Sequence, residues 1–342
     1  MFTLGTDPEL VLVNTIDDVV LNALDYLPKA AKFGVDGHRF IAELRPEPAA
    51  TPKDLVTNIR RTLALGGKKI QHLTWLSGAY KHRKPLGGHI HFGNIDASDK
   101  ILDALDHYLA ILLAVTEDPE EAGRRRTTVF YGNNPYGLLG DLRRKPWGFE
   151  YRTPSSFLIS PALARGILVA AKAIVLEEAE KGKRAYSEIG SALRKKFQFK
   201  SEDFYRLNRP EIFKEKIDDL FKLLFNMKYF ESEEGKEHKK YLTYLLEQTI
   251  KKGVLPGLDV KKSWNLYDAF LKQEEKKLFL LKNKKVVVKT TPTPPVEPPV
   301  NPVYADQWRF TTTTNNTMVF GEQTATTTPI NWNQFIVRLA AE

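Results

Sequence analysis

The sequence predicts an α+β protein. An antiparallel sheet unit spans residues 1–160, and a helical segment over 161–288 packs on it. A Pro-rich linker over 289–302 then leads to a small β-rich tail over 303–342. Three observations carry this reading. Short apolar runs separated by Gly and Pro turns fill the first half, and from Ser160 onward apolar residues recur at helical spacing. Lys289–Pro302, reading KTTPTPPVEPPVNP, holds six prolines in fourteen residues. The length of 342 residues also exceeds what one compact core usually holds, so more than one structural unit is expected.

In chain order, Thr3–Val13 reads as one extended apolar stretch carrying Asp7 and Glu9. Phe33–Arg45 reads as a hairpin turning at Asp36-Gly37. Ile59–Leu76 passes from helix to strand, and Gly87–Gly93 is a short strand in which Ile90 and Phe92 alternate with polar residues. Ser98 caps a helix over Asp99–Thr116, with apolar residues at 101, 102, 105, 109, 112 and 113. Phe149–Thr153 is a strand stopped by the turn Pro154-Ser155-Ser156. Pro161–Gly182 is a helix with Pro at its start and Gly at its stop. More helices follow between Tyr186 and Leu281, divided at Asn208-Arg209-Pro210 and Gly253–Gly257. The linker favours an extended polyproline spacer. Beyond it, threonine runs at 311–314 and 326–328 interleave with Trp308, Phe310, Phe320, Trp332 and Phe335, which suits strands. Forty residues are too few for a core of their own, so the tail is expected to be an attachment module ordered on a partner.

Composition excludes several classes of function. The absence of cysteine removes disulfide scaffolds, thiolate metal sites and cysteine nucleophiles together. No secretory leader and no apolar run of membrane-spanning length is present, so a soluble, cytoplasmic protein is expected. Of the formal net charge of +9, residues 183–290 carry the whole surplus, with 26 basic and 16 acidic side chains. There the lysines alternate with acids and apolar residues at helical spacing, which reads as a solvated helix surface rather than a nucleic-acid face. No GKS/T phosphate loop and no G-x-S-x-G elbow occurs.

Chemistry-bearing residues gather in four short segments of the first unit. Asp7 and Glu9 stand two apart, as do Glu43 and Arg45, His89 and His91, and Glu150 and Arg152; on strands each pair shares a face. Asp36 lies at the hairpin turn. Any one such pair commonly marks a solvent face. Glu43 in IAELRP and the histidines in GGHIHFG are flanked by apolar residues, however, which argues against a wet loop. Several acids facing one cavity repel unless cations neutralise them, and oxygen ligands with an imidazole suit Mg²⁺ or Mn²⁺.

At these residues the chain resembles the phage-type carboxylate–amine ligases, the amidoligase group of the glutamine synthetase/γ-glutamylcysteine synthetase superfamily. The resemblance runs from Gly5 to about Phe157. It rests on GTDPE at 5–9, AELRPEP at 42–48, GGHIHFG at 87–93, RRRTTVFYG at 124–132 and YGLLGDLRRKPWGFEYRTPS at 136–155. It implies a curved antiparallel sheet around an open cavity with helices on its outer face. It also implies ATP and Mg²⁺ (or Mn²⁺) as cofactors, an acyl phosphate, and displacement by an amine to leave an amide. The implied metal ligands are Asp7, Glu9, Asp36, Glu43, one of His89 and His91, and Glu150. Arg152, Arg143 and one of Arg124–Arg126, with Arg126 preferred, are implied at the phosphate and the tetrahedral intermediate; Arg45, His91, Lys145 and Arg124 are implied at the nucleotide. Trp147 and Tyr151 are candidates for stacking on adenine or for core packing. The expected partners are amino-acid or peptide substrates and, through residues 303–342, a phage structural protein or a second copy of this chain. The alternative is a virion protein that reuses the ligase fold without its chemistry.

Overall fold

The computed structural model describes residues 1–35, 37–114, 116–127, 129–131, 134–181, 210–247 and 259–267. Asp36, the linker at 289–302 and the tail at 303–342 lie outside the described residues, as do several of the later helices expected between Tyr186 and Leu281. The described residues all fall within one compact unit, Met1–Lys276.

Two four-stranded antiparallel sheets dominate the first half. In chain order the strands are β1 (Thr3–Thr6), β2 (Glu9–Val13), β3 (Phe33–Val35), β4 (Ala42–Leu44), β5 (Thr74–Leu76), β6 (Tyr80–Lys81), β7 (Lys84–Pro85), β8 (Ile90–Gly93), β9 (Val129–Tyr131), β10 (Asn134–Pro135), β11 (Leu142–Lys145) and β12 (Gly148–Tyr151). One sheet has the order β1-β8-β12-β11 and the other β3-β4-β2-β5, while β6-β7 and β9-β10 form two-stranded ribbons. The stretch read from sequence as one strand over 3–13 is therefore two strands in different sheets. Proline offers no amide for a ladder, and at Asp7-Pro8 the chain leaves the partner β8 for β4 and β5. The hairpin expected at 33–45 forms, pairing Phe33 with Leu44, although residues 36–41 rather than a two-residue turn connect its strands.

Helix α1 (Pro52–Gly66) begins earlier than the apolar spacing from Ile59 suggests. Thr51 caps it by accepting from the Asp54 amide, and proline takes the first helical position. Its Leu55, Ile59 and Leu63 are buried on one face. The helix capped by Ser98 starts as α2 (Asp99–Ala104), widens into a π-helical stretch at Leu105–Ala110 and closes as α3 (Ile111–Ala114). Helix α4 (Pro119–Thr127) follows. Helix α5 (Pro161–Lys181) is buried almost all round from Leu163 to Val175, because α1 and α2 pack on it as well as a later helix. That later helix is α7 (Glu233–Leu246), preceded by α6 (Pro210–Phe225) and followed by α8 (Val260–Ser263). Behind α8 the buried Trp264 indole donates to the Leu158 carbonyl, and Arg60 of α1 donates to the carbonyls of Trp264 and Asn265. No helix among the described residues is long and apolar enough to cross a membrane.

Between α5 and α7 lies a polar network. His238, 1% exposed, meets the Tyr229 hydroxyl at 2.7 Å, and Lys172 bridges Glu234 to the Ala50 carbonyl. Burial, with the Arg165 and Lys172 charges against the nearby Glu234 and Glu237, holds the His238 imidazole down to about 4. The folded state thus keeps His238 neutral where the unfolded chain would charge it at its usual 6.5. Stability contributed here is complete above pH 6.5 and is lost as pH falls towards 4, by up to about 3 kcal/mol. Thermal melts across that range should show a falling Tm, and His238→Gln should flatten part of the fall. An unchanged slope would show that His238 does not contribute.

Candidate active site at the seam of the two sheets

Strand pairing sets the site. Directly opposed residues of an antiparallel sheet share a face, and one such row runs Gly5, His91, Glu150, Arg143 across β1, β8, β12 and β11. Gly5 is there for room: a Cβ on it would stand 3.2 Å from His91 Cβ and 3.3 Å from its Nδ1. Asp7, at the joint where the chain changes sheets, adds its carboxylate to this row. Single ligand atoms of Asp7, His91 and Glu150 all lie within 4.8 Å of one another. Asp7 Oδ2 is 3.3 Å from His91 Nε2, and Asp7 Oδ1 is 3.0 Å from His89 Nδ1.

Glu150, 3% exposed, is surrounded by positive charge. Arg143 approaches at 3.4 Å, Lys145 at 3.7 Å and Arg152 at 3.4 Å, while Arg152 also donates to Asp141 at 3.3 Å. Two carboxylates therefore face three fixed cations and two imidazoles. The site combines orphaned acidic ligands with a surplus of basic groups, which suits a cation and a polyanion bound together.

Hydrogen bonding shows the same shortage. Asp7 Oδ1, His89 Nδ1, His91 Nε2 and Glu150 Oε1 are buried, and among the described residues none has a partner with hydrogen-bond geometry despite the short approaches. On the other side of His89, Tyr136 donates its one hydroxyl proton to Glu9 Oε1 at 3.1 Å and stands 2.7 Å from His89 Nε2. His89 Nδ1 faces Asp7 at 3.0 Å and Glu150 at 3.5 Å, so a proton on that nitrogen or a cation between the groups would offset the two acids. Burial pushes the Asp7 carboxyl up, but His89 and His91 outweigh it and hold it well below the usual carboxylate range. Burial pulls the His89 imidazole down, yet Asp7 and Glu9 raise it above its ordinary value. The two carboxylates and imidazole of Asp7, Glu150 and His91 fit a divalent cation.

Residues 4–266 match the family described as phage phiEco32-like COOH.NH2 ligase-type 2. The chain belongs to that family. No curated protein matches the sequence. Among solved structures, a bifunctional glutathione synthetase from Pasteurella multocida shares 13% identity at a TM-score of 0.45. It covers 80% of this chain, which spans 51% of that protein's length. A glutamate–cysteine ligase from Francisella tularensis, solved in complex with AMP, shares 10% identity at a TM-score of 0.47, covering 85% and 95% of the two chains. Likenesses this faint add nothing to the chemistry.

Within this ligase-family chain, the structure brings together only part of the residue set expected from sequence. Asp7, His89, His91, Glu150, Arg143, Lys145 and Arg152 converge. Asp7 and Glu9 reach their places through the chain's change of sheet, not through alternation along one strand. Glu9 turns instead to Tyr136 and the Gly87 amide, which donates to Oε2 at 2.5 Å. Glu43 stands opposite Glu9 in the β2–β4 ladder and pairs with Arg45 at 2.9 Å, so Arg45 neutralises an acid and also donates to the Ala31 carbonyl. His91, rather than His89, completes the three-ligand group. Asp36 lies outside the described residues. The expected nucleotide role of Arg124 is not supported by its position: it is exposed and pairs with Glu120 one turn back on α4. Arg126 is likewise drawn away, buried against Glu117 at 2.5 Å.

Beside the candidate site, Tyr136 is a residue the sequence reading does not single out, and Arg125 is one of the three arginines it names without choosing it. Tyr136 carries no charge and its role depends on contacts 127 and 47 positions away. Arg125, fully buried, donates to the carbonyls of Thr153 and Pro154 at 2.8 Å each and lies 4.8 Å over the Tyr136 ring. Of the two aromatic candidates, Tyr151 is core, donating to Asp106 at 2.7 Å, whereas Trp147 is 44% exposed and 5.5 Å from the His91 ring.

Proposed function

We propose that this member of the ligase family is an ATP-dependent carboxylate–amine ligase that works through an acyl phosphate, and that the seam of the two sheets is its active site. The observation supporting this most is the group Asp7, His91 and Glu150 within 4.8 Å, bordered by Arg143, Lys145 and Arg152. Asp7, His91 and Glu150 would hold Mg²⁺ (or Mn²⁺). When bound, the metal would screen phosphate charge and orient the γ-phosphate. Arg143 and Lys145, about half and one-third exposed, reach outward to grip the phosphate chain. Arg152, fixed between Glu150 and Asp141, is positioned to hold the phosphoryl group as a substrate carboxylate oxygen attacks it and ADP leaves. The amine then adds to the acyl carbon and phosphate departs, leaving the amide. Glu9 and Glu43 line the neighbouring strands, and we assign Glu9 to positioning the site through Tyr136, with Arg45 balancing the charge of Glu43. A phage origin is in keeping with the family's description. Nothing among the described residues favours the alternative of a structural protein of the virion, and the tail at 303–342 remains our proposal for an attachment module.

Calorimetric titration tests the reading. Mg²⁺ and a non-hydrolysable ATP analogue should each bind more tightly in the presence of the other, by the same factor. Equal affinity with and without the partner would sink it. A second result is expected from Trp147→Ala. Loss of a stacked base costs about 1–3 kcal/mol, so affinity for the ATP analogue should fall roughly tenfold or more while inorganic tripolyphosphate, which has no base, binds unchanged. An equal loss for both would place Trp147 outside the base site.

A further inference from the structure

A cavity of about 260 Å³ lies between the turn at 77–79, the start of α4 and the segment after β12. We propose that it is the pocket for the amine substrate and that Glu117, Ser77 and Ser156 receive its ammonium group. The assignment of that amine to a reaction rests on the ligase reading above; the charge of the ligand rests on the pocket alone.

Three buried polar atoms of the lining lack any partner among the described residues: Ser77 Oγ, Ser156 Oγ and Glu117 Oε1. The two serines are 1% exposed and Glu117 is 5% exposed. A buried hydroxyl or carboxylate oxygen left alone is costly, and three around one small cavity mark a place where a ligand supplies the missing donors. The groups that might attract an anion are already engaged. Asp118 Oδ1 accepts from the amides of Glu120 and Glu121 at 3.0 Å each, which closes the α4 N-terminus. Lys81 is paired with Glu121, and Arg126 with the other oxygen of Glu117. What remains open is one carboxylate oxygen and two hydroxyls that can turn their lone pairs to a ligand. A carboxylate placed there would meet Glu117 Oε1 directly, whereas an ammonium group offers three donors that all three oxygens can accept. Leu113 and Phe157 give the same pocket an apolar wall for a short aliphatic body.

The pocket is also tied to the seam. Ser156 donates its amide to the Gly78 carbonyl, and Ser155 bridges to Gly87, whose own amide holds Glu9. The wall that bears Ser156 is thus the continuation of the chain through Arg152 from β12, which bears Glu150.

The test uses two three-carbon probes of opposite charge, propylamine and propionate, titrated calorimetrically against the full chain without nucleotide. Propylamine should bind and propionate should not. The double variant Ser77→Ala, Ser156→Ala should lower propylamine affinity at least tenfold, leave binding of the Mg²⁺–ATP analogue unchanged and raise Tm slightly, because it removes two unpartnered buried hydroxyls. Glu117→Gln should lose the amine as well; since it also strips Arg126 of its partner, the serine variant carries the test if this one fails to fold. Propionate binding, no binding of either probe, or propylamine binding indifferent to the variants would each overturn the proposal. Retained propylamine binding in a chain that never turns over ATP would instead remove the ligase reading, and the substrate role of the pocket with it.

Discussion

Glu150→Gln is expected to abolish ATP turnover while the chain stays folded. Glu150 is the one acid of the site contacted by three cations as well as by His89. Neutralising it removes a charged ligand from a group of three, so divalent metal affinity should fall by about a hundredfold or more. The same change frees Arg143, Lys145 and Arg152 from their shared carboxylate, so metal-free tripolyphosphate should bind more tightly than to the parent. This opposite movement of metal and phosphate is what distinguishes a metal-and-phosphate site from a structural ion-pair network. Calorimetry of both ligands, with a phosphate-release assay, reads it. Normal turnover, or parallel weakening of both ligands, would show the assignment to be wrong.

Arg125→Met should cost stability. The guanidinium is fully buried, and it holds the carbonyls of Thr153 and Pro154. Methionine fills much of the volume but leaves both carbonyls without donors, at roughly 1–3 kcal/mol each. A total loss of about 3 kcal/mol corresponds to a Tm lower by roughly 4 °C for a chain of this size. Tyr136 would lose the cation over its ring, and with it the firm placement of its hydroxyl between Glu9 and His89. Metal affinity should therefore fall as well, although Arg125 is not among the ligands. A melting temperature within a degree of the parent would refute this account.

Much of the site was legible before the fold was known. His89 and His91 sit two apart in a segment that does pair as a strand from Ile90, and Glu150 and Arg152 stand in the run around β12. Alternation along a strand is a local property, so spacing alone placed each pair on one face. The start of α1 was equally local and was passed over: Thr51-Pro52 with Asp54 is a capping signal that a search by apolar spacing does not see. Asp7 and Glu9 show the limit of the local rule. Their spacing of two suggests one face of one strand, but β1 ends at Thr6 and β2 begins at Glu9, so Asp7 stands in the joint and the two acids serve different neighbours. Arg124–Arg126 show it again. Three identical side chains in a row differ only in what surrounds them, and the fold gives one to solvent, one to the carbonyls under Tyr136 and one to Glu117.

By itself, then, the sequence determined the family, through five motifs in the order of a carboxylate–amine ligase, and the side chains on offer: carboxylates, imidazoles and guanidinium groups with no thiolate. It also determined the local elements, because caps, proline positions and alternation act within a few residues. Only the tertiary structure decided which acids converge with an imidazole and which are neutralised by a neighbouring arginine. It alone placed Tyr136 and Arg125 beside the candidate site, and set three buried oxygens near α4 without a partner among the described residues. The reason is physical: a charge or hydroxyl takes its role from the partners and burial it meets, and those partners come from strands and turns far away in the chain.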